Sequence, residues 1–158
     1  MIHSSGGNTT TIDNADYRQK LVDYVSASFD NKLIVEGGEV GFDWDEEDAA
    51  FAANVLHAHD WTTDNAGTLN AVADYTSHPV MTTPNVLSGT LELAYNGWGD
   101  QDGMVINEDA FVVFDPASKP GEAGINIFDP TPNPTSGQIV YLAFNAAVAD
   151  AEKICRSS

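Results

Sequence analysis

The stretch AFVVFDPASKPGEAGINIFDP, residues 110–130, limits the fold more than any other part of the chain. Two runs of β-branched and aromatic residues, 110–115 and 124–129, each end in Asp-Pro, with the turn-rich ASKPGEA between them. They read as two adjacent antiparallel strands. Upstream, VLSGTLELAY (86–95) puts Leu87, Gly89, Leu91, Leu93 and Tyr95 on one face and Ser88, Thr90 and Glu92 on the other. That alternation predicts a half-buried antiparallel strand.

Helical signals flank this β region. Asp13 or Asn14 can cap a helix over 15–28, whose Tyr17, Leu21, Tyr24, Val25 and Phe29 share one stripe. LIVEGGEVGFDW then predicts two short extended pieces around Gly37-Gly38. Asp45 reads as the cap of a further helix, with Glu46, Glu47 and Asp48 in its first turn and Phe51, Val55 and Leu56 on its buried face. TLNAVADY (68–75) fits either helix or strand, because alanine carries little period information. Beyond Pro134, Thr135 or Ser136 can cap a last helix, QIVYLAFNAAVADAEKI, with Ile139, Leu142, Ala143 and Ala146 on one stripe.

The polar opening MIHSSGGNTTT has no periodicity, so residues 1–14 read as a flexible arm and 15–158 as one domain. The expected fold class is α+β, a curved antiparallel sheet with helices packed on one face. A chain of 158 residues can bury a core without disulfide or metal support.

Charge restricts the partners. Six Lys and Arg against 24 Asp and Glu give a net charge of -18, which repels nucleic acid and anionic lipid. Such a surface suits high salt or secretion. Residues 1–15 have neither the basic start nor the apolar core of a signal peptide, and no 18-residue apolar run predicts membrane insertion. Export would then need a route without an N-terminal signal. The lone Cys155 can form no intrachain disulfide and reads as a helix residue near the C-terminus.

Catalytic signatures are missing: the sequence has no G-x-S-x-G elbow, no H-E-x-x-H, no P-loop and no G-x-G-x-x-G. His57-Ala-His59-Asp60 resembles a metal motif, but two residues apart on a helix point to different faces, and capping or solvent-facing histidines explain them as well. Asp100, Asp102 and Asp109 share the spacing of a calcium loop, yet Trp98 occupies the first carboxylate position, which leaves a turn between strands. DWDEED reads as a solvated helical turn. Tyr75 and His78, in DYTSHP, form a phenol and imidazole pair ahead of a proline. They make an ordinary turn, or a site where a tyrosine helped by the imidazole binds ferric heme iron as an anionic ligand.

Several segments together are similar to the HasA-type hemophores, secreted heme-acquisition proteins of Gram-negative bacteria. The similarity rests on LNAVADYTSHP around Tyr75, on VLSGTLEL from Val86 and on the GWGD turn. It extends to the pattern DYxxxLxDY from Asp16 with Phe29-Asp30, and to SGQIVYLAF at 136–144. The resemblance implies a non-enzymatic extracellular protein that binds heme b through Tyr75, with His78 as its hydrogen-bond partner, and delivers it to an outer-membrane receptor. It also implies export by a type I system that reads the C-terminus. Two positions depart from the family: Thr83 stands where its tyrosine-supporting histidine lies, and 30–44 has no histidine to supply a second iron ligand. The alternative expectation is a structural or interaction domain, surface or virion-associated, adapted to high salt.

Overall fold

A computed structural model describes residues 1–7, 12–64, 67–87, 89–93, 101–131 and 136–146. In chain order its elements begin with β1 (Ile2–Ser4), α1 (Ala15–Ala27), β2 (Leu33–Glu36), α2 (Val40–Trp44) and α3 (Ala49–Phe51). A π-helical turn (Ala52–Leu56), β3 (Ala58–Asp64), β4 (Leu69–Ala71), a 3-10 turn (Ala73–Tyr75), α4 (Pro79–Thr82) and β5 (Thr90–Leu91) follow. The described chain closes with β6 (Asp102–Ile106), β7 (Ala110–Pro116), β8 (Ile125–Phe128) and β9 (Ile139–Leu142). These form one α+β domain: a seven-stranded sheet ordered β1-β2-β9-β8-β7-β4-β5, and a two-stranded sheet of β3 and β6.

The predicted pair of adjacent antiparallel strands forms, but β7 does not end before its proline: it runs through Pro116, which stands opposite Leu69 of β4, whereas β8 ends at Phe128. β7 and β8 are antiparallel, with Phe111 opposite Ile127 and Ala110 opposite Phe128. Helix α1 also forms where its period predicts, and the Asn14 carboxamide accepts the Tyr17 N–H at 3.1 Å as its cap. Its stripe buries Leu21 and Val25, but also Arg18, which the sequence did not single out. Arg18 meets every demand of a buried guanidinium: Nη1 donates to the Ile12 and Asp13 carbonyls, Nε donates to Asp48 at 2.6 Å, and the Trp44 ring lies 3.5 Å away.

Several expectations are corrected. The sheet is mixed, because β1, β2 and β9 pair in parallel. Residues 2–4 are therefore an edge strand and not part of a loose arm, and His3 is buried. The second extended piece of LIVEGGEVGFDW is helix α2. Five residues are too few for a period of two to be told from one of 3.6, and helical Gly41 is set by packing: a Cβ there would lie 2.3 Å from the Met104 sulfur. Asp48, not Asp45, caps α3 by accepting the Phe51 N–H at 3.1 Å, while Asp45 accepts the Trp61 N–H at 2.7 Å. TLNAVADY divides into β4 and the 3-10 turn. Of the strand expected over 86–95 the structure shows Thr90–Leu91 paired with β4; Ser88 and residues 94–100, with the GWGD turn, lie outside the described residues.

The last expected helix is also corrected at its start, where 139–142 is strand β9. Flanked by β2 on one side and β8 on the other, with Ile139 and Tyr141 buried on one face and Val140 and Leu142 half-buried on the other, it needs a continuous apolar run, and IVYL satisfies that as readily as a helical stripe. Thr135 and residues 147–158, including Cys155, lie outside the described residues.

The two faces of the large sheet bury separate cores. Leu33, Val35, Ile139, Tyr141, Val112 and Phe128 pack under α1, α3 and the π-helical turn, with Leu21, Val25, Phe51, Val55 and Leu56. On the other face Ile125, Ile127, Val113 and Phe114 pack with Leu69, Met81, Leu91 and Phe144. No helix among the described residues is long and apolar enough to cross a membrane.

Candidate functional site

Tyr75 and His78 lie over this second face. β4 delivers the chain to the 3-10 turn that ends at Tyr75, and α4 starts one residue after His78. Each ring leans on Phe111 of β7. Tyr75 stacks on it with centroids 4.5 Å apart and planes at 22°, and His78 meets it edge-on at 5.1 Å and 65°. Phe111 thus holds both aromatic groups in place, a gain of about 0.5–1.5 kcal/mol per ring pair beyond the area buried.

The imidazole is fully occupied. Its Nδ1 accepts the Val80 N–H at 3.2 Å and so caps α4, which leaves the proton on Nε2, facing Asp129 Oδ2 at 3.3 Å. Burial alone would raise the Asp129 carboxyl, but hydrogen bonds from Gln138, Thr131 and His78 outweigh it and hold the group below the usual range. The imidazole therefore makes no hydrogen bond to the Tyr75 hydroxyl; the two residues are joined only through the backbone, where the His78 N–H donates to the Tyr75 carbonyl at 3.0 Å. The structure brings the two side chains onto one aromatic shelf without joining them chemically. Tyr75 is 37% exposed, and its hydroxyl has no hydrogen bond among the described residues.

Of what a ferric heme requires, the shelf offers one oxygen: the Tyr75 side chain, once deprotonated, would be a hard anionic ligand, and its ring is stacked on Phe111. His78 fits only as a brace, since both its nitrogens are engaged elsewhere. His57 and His59 give no second ligand at this shelf. His57 is buried at the end of the π-helical turn in a left-handed conformation (φ 49°), stacked on Phe128 at 3.8 Å with Nδ1 3.1 Å from Asp109. His59 pairs with Asn107 at 3.0 Å. Burial lowers the His57 imidazole, with Asp109 opposing in part.

A second concavity lies across the molecule's other core. Glu39, Phe42, Trp61, Asp64 and Asp102 line a cavity of about 80 Å³ between α2 and the β3–β6 sheet. Asp102 is buried, accepting the Trp61 indole N–H at 2.8 Å and the Phe42 N–H at 3.4 Å. Burial, reinforced by Glu39 and Asp64, pushes its carboxyl well up despite the Trp61 hydrogen bond. Glu39 is raised too, first by burial and then by Asp64 and Asp43. Sequence reading missed this site, since its residues come from three separate segments, the start of α2, β3 and β6, and only Asp102 had stood out, as part of a turn. Among the described residues no group of three or more His, Cys, Asp or Glu could hold a metal ion.

Compared with protein-family models, with curated proteins and with solved structures, the chain finds no match in any of the three.

Proposed function

We propose that the chain is a non-enzymatic binding protein that captures ferric heme through Tyr75 and passes it on, outside the cell, to an outer-membrane receptor. The observation that carries this reading is the Tyr75 side chain itself, exposed, stacked on Phe111 and without a hydrogen-bond partner for its hydroxyl among the described residues. His78 acts in this reading by bracing Phe111 and capping α4. The Tyr75 oxygen would be the one protein ligand supplied by the shelf.

Hemin titration followed by visible absorption tests it. The wild-type chain should give a saturable one-to-one tyrosinate-type spectrum, lost in Tyr75→Phe and kept in His78→Asn once folding is verified. Free-hemin absorption in the wild type, or an unchanged spectrum in Tyr75→Phe, overturns the assignment.

An interaction domain is the second reading, favoured by the β1 edge, where Met1, Ile2 and Ile34 leave apolar side chains exposed. A concentration-dependent sedimentation coefficient that is lost in Ile2→Ser would favour it.

A further inference from the structure

The cavity between α2 and the β3–β6 sheet has walls and charge suited to a ligand of a different kind. We propose that it is a binding site for an alkylammonium head group, seated between the Phe42 and Trp61 rings and the Glu39, Asp64 and Asp102 carboxylates.

The aromatic wall comes first. Phe42 and Trp61 meet edge to face at 5.0 Å and 68°, and Phe42 is 51% exposed. An exposed phenylalanine gains little from the fold, whereas two rings forming a corner offer faces to a cation, worth about 0.5–2 kcal/mol per ring as the site is desolvated. The Trp61 ring cannot swing away: its indole N–H is held by Asp102, and its backbone N–H by Asp45. The corner is therefore preformed.

Charge supplies the second argument. Three carboxylates border the cavity, and no lysine or arginine lines it. Of the four described lysines and arginines, Arg18 is engaged with Asp48 and Trp44, Lys32 with Phe29 and Lys119 with Glu122, and Lys20 is exposed on α1 and does not line the cavity. Burial is the first cause that raises the Glu39 and Asp102 carboxyls, and the neighbouring carboxylates push both further in the same direction. A positive group placed among them would relieve that repulsion.

Size and chemistry decide the class. About 80 Å³ is far below the roughly 300–1,000 Å³ of pockets for drug-sized ligands, and suits one head group with its carbon stem leaving through the open side. A metal ion would need several oxygen ligands converging on one point, which these carboxylates do not provide. An alkylammonium is weakly hydrated on its carbon side and tolerates an aromatic wall. A lysine side chain and a free amine share this chemistry.

The test follows the Trp61 indole resonance by 1H–15N NMR at constant ionic strength. The probes are tetramethylammonium, n-butylammonium and N-acetyl-lysine methylamide, with sodium chloride and neutral neopentyl alcohol as controls. The expected result is a saturable shift with the ammonium probes alone, weakened at least tenfold by Glu39→Gln and by Phe42→Ala. Tighter binding of the lysine derivative than of n-butylammonium assigns a polypeptide source, and equal binding assigns a free amine. Shifts matched by either control, or affinities unchanged in both folded variants, overturn the proposal. Hemin absorption measured on the same variants stays as in the wild type, so this site and the Tyr75 shelf fail or survive separately.

Discussion

The two faces of the seven-stranded sheet are covered by different means. One lies beneath a thirteen-residue helix with a formed cap, a buried Arg18 network and the π-helical turn. The other is covered near β4 and β7 by the four-residue α4, short turns and Met81, and becomes open towards β1. The register makes this contrast continuous: Ile2, Ile34, Val140, Ile127 and Phe111 stand opposite one another across five strands. Ile127 is 1% exposed and Ile2 is 74% exposed. A single apolar row thus passes from core to surface, and Tyr75 stacks at its far end. The difference teaches that the helical face carries the stability, while the thinly covered face leaves its side chains accessible for binding.

The sharpest test of that division is Leu21→Ala. Fully enclosed under α1, Leu21 should cost about 2–5 kcal/mol in urea unfolding. Met81→Ala, equally buried beneath the second face, should cost less, about 2 kcal/mol, because a four-residue helix can settle into the space. Equal losses would remove the contrast.

A smaller effect is set by pH. His57 and His3 both belong to the helix-covered side, and burial lowers both imidazoles, against opposing pulls from Asp109 and Glu36. The unfolded chain then takes up protons near pH 6.5 that the native state refuses. Stability is full above that value and falls as the pH drops through it towards the lowered native values. His57→Asn, which keeps a residue tolerant of the left-handed conformation, should flatten the decline in melting temperature between pH 7 and 5 and leave the share due to His3. The smallest effect belongs to the open edge: Ile2→Ser should change stability by no more than about 0.5 kcal/mol. A loss above about 1 kcal/mol would mean that this edge is covered in solution.

Local signals were legible where one element contained its own reason. Asn14 and the stripe of α1 lie within a single span, and the two apolar runs on either side of ASKPGEA mark β7 and β8, although β7 continues through Pro116. β9 was not legible, because Ile139, Leu142 and Ala143 satisfy a helical stripe and a doubly buried strand equally, and only β2 and β8 decide between them. The local setting of Tyr75 was not legible, since 68–75 fitted helix or strand, and the residue ends a 3-10 turn that follows the short β4. Its support by Phe111, and the commitment of His78 to Val80 and Asp129, depend on β7 and on the turn at Asp129, both far away in sequence. The Phe42–Trp61 corner was invisible for the same reason.

The position of β2 has a kinetic consequence. It is clasped between the strand nearest the N-terminus and β9, and its Glu36 receives the Ala146 N–H across 110 positions. Pairings this distant close large loops before any contact rewards them, which places folding among the slow, high-contact-order cases. A nascent chain that has not yet released residues 139–142 from the ribosome cannot complete this sheet. It would stay protease-sensitive until those residues emerge and pair with β2.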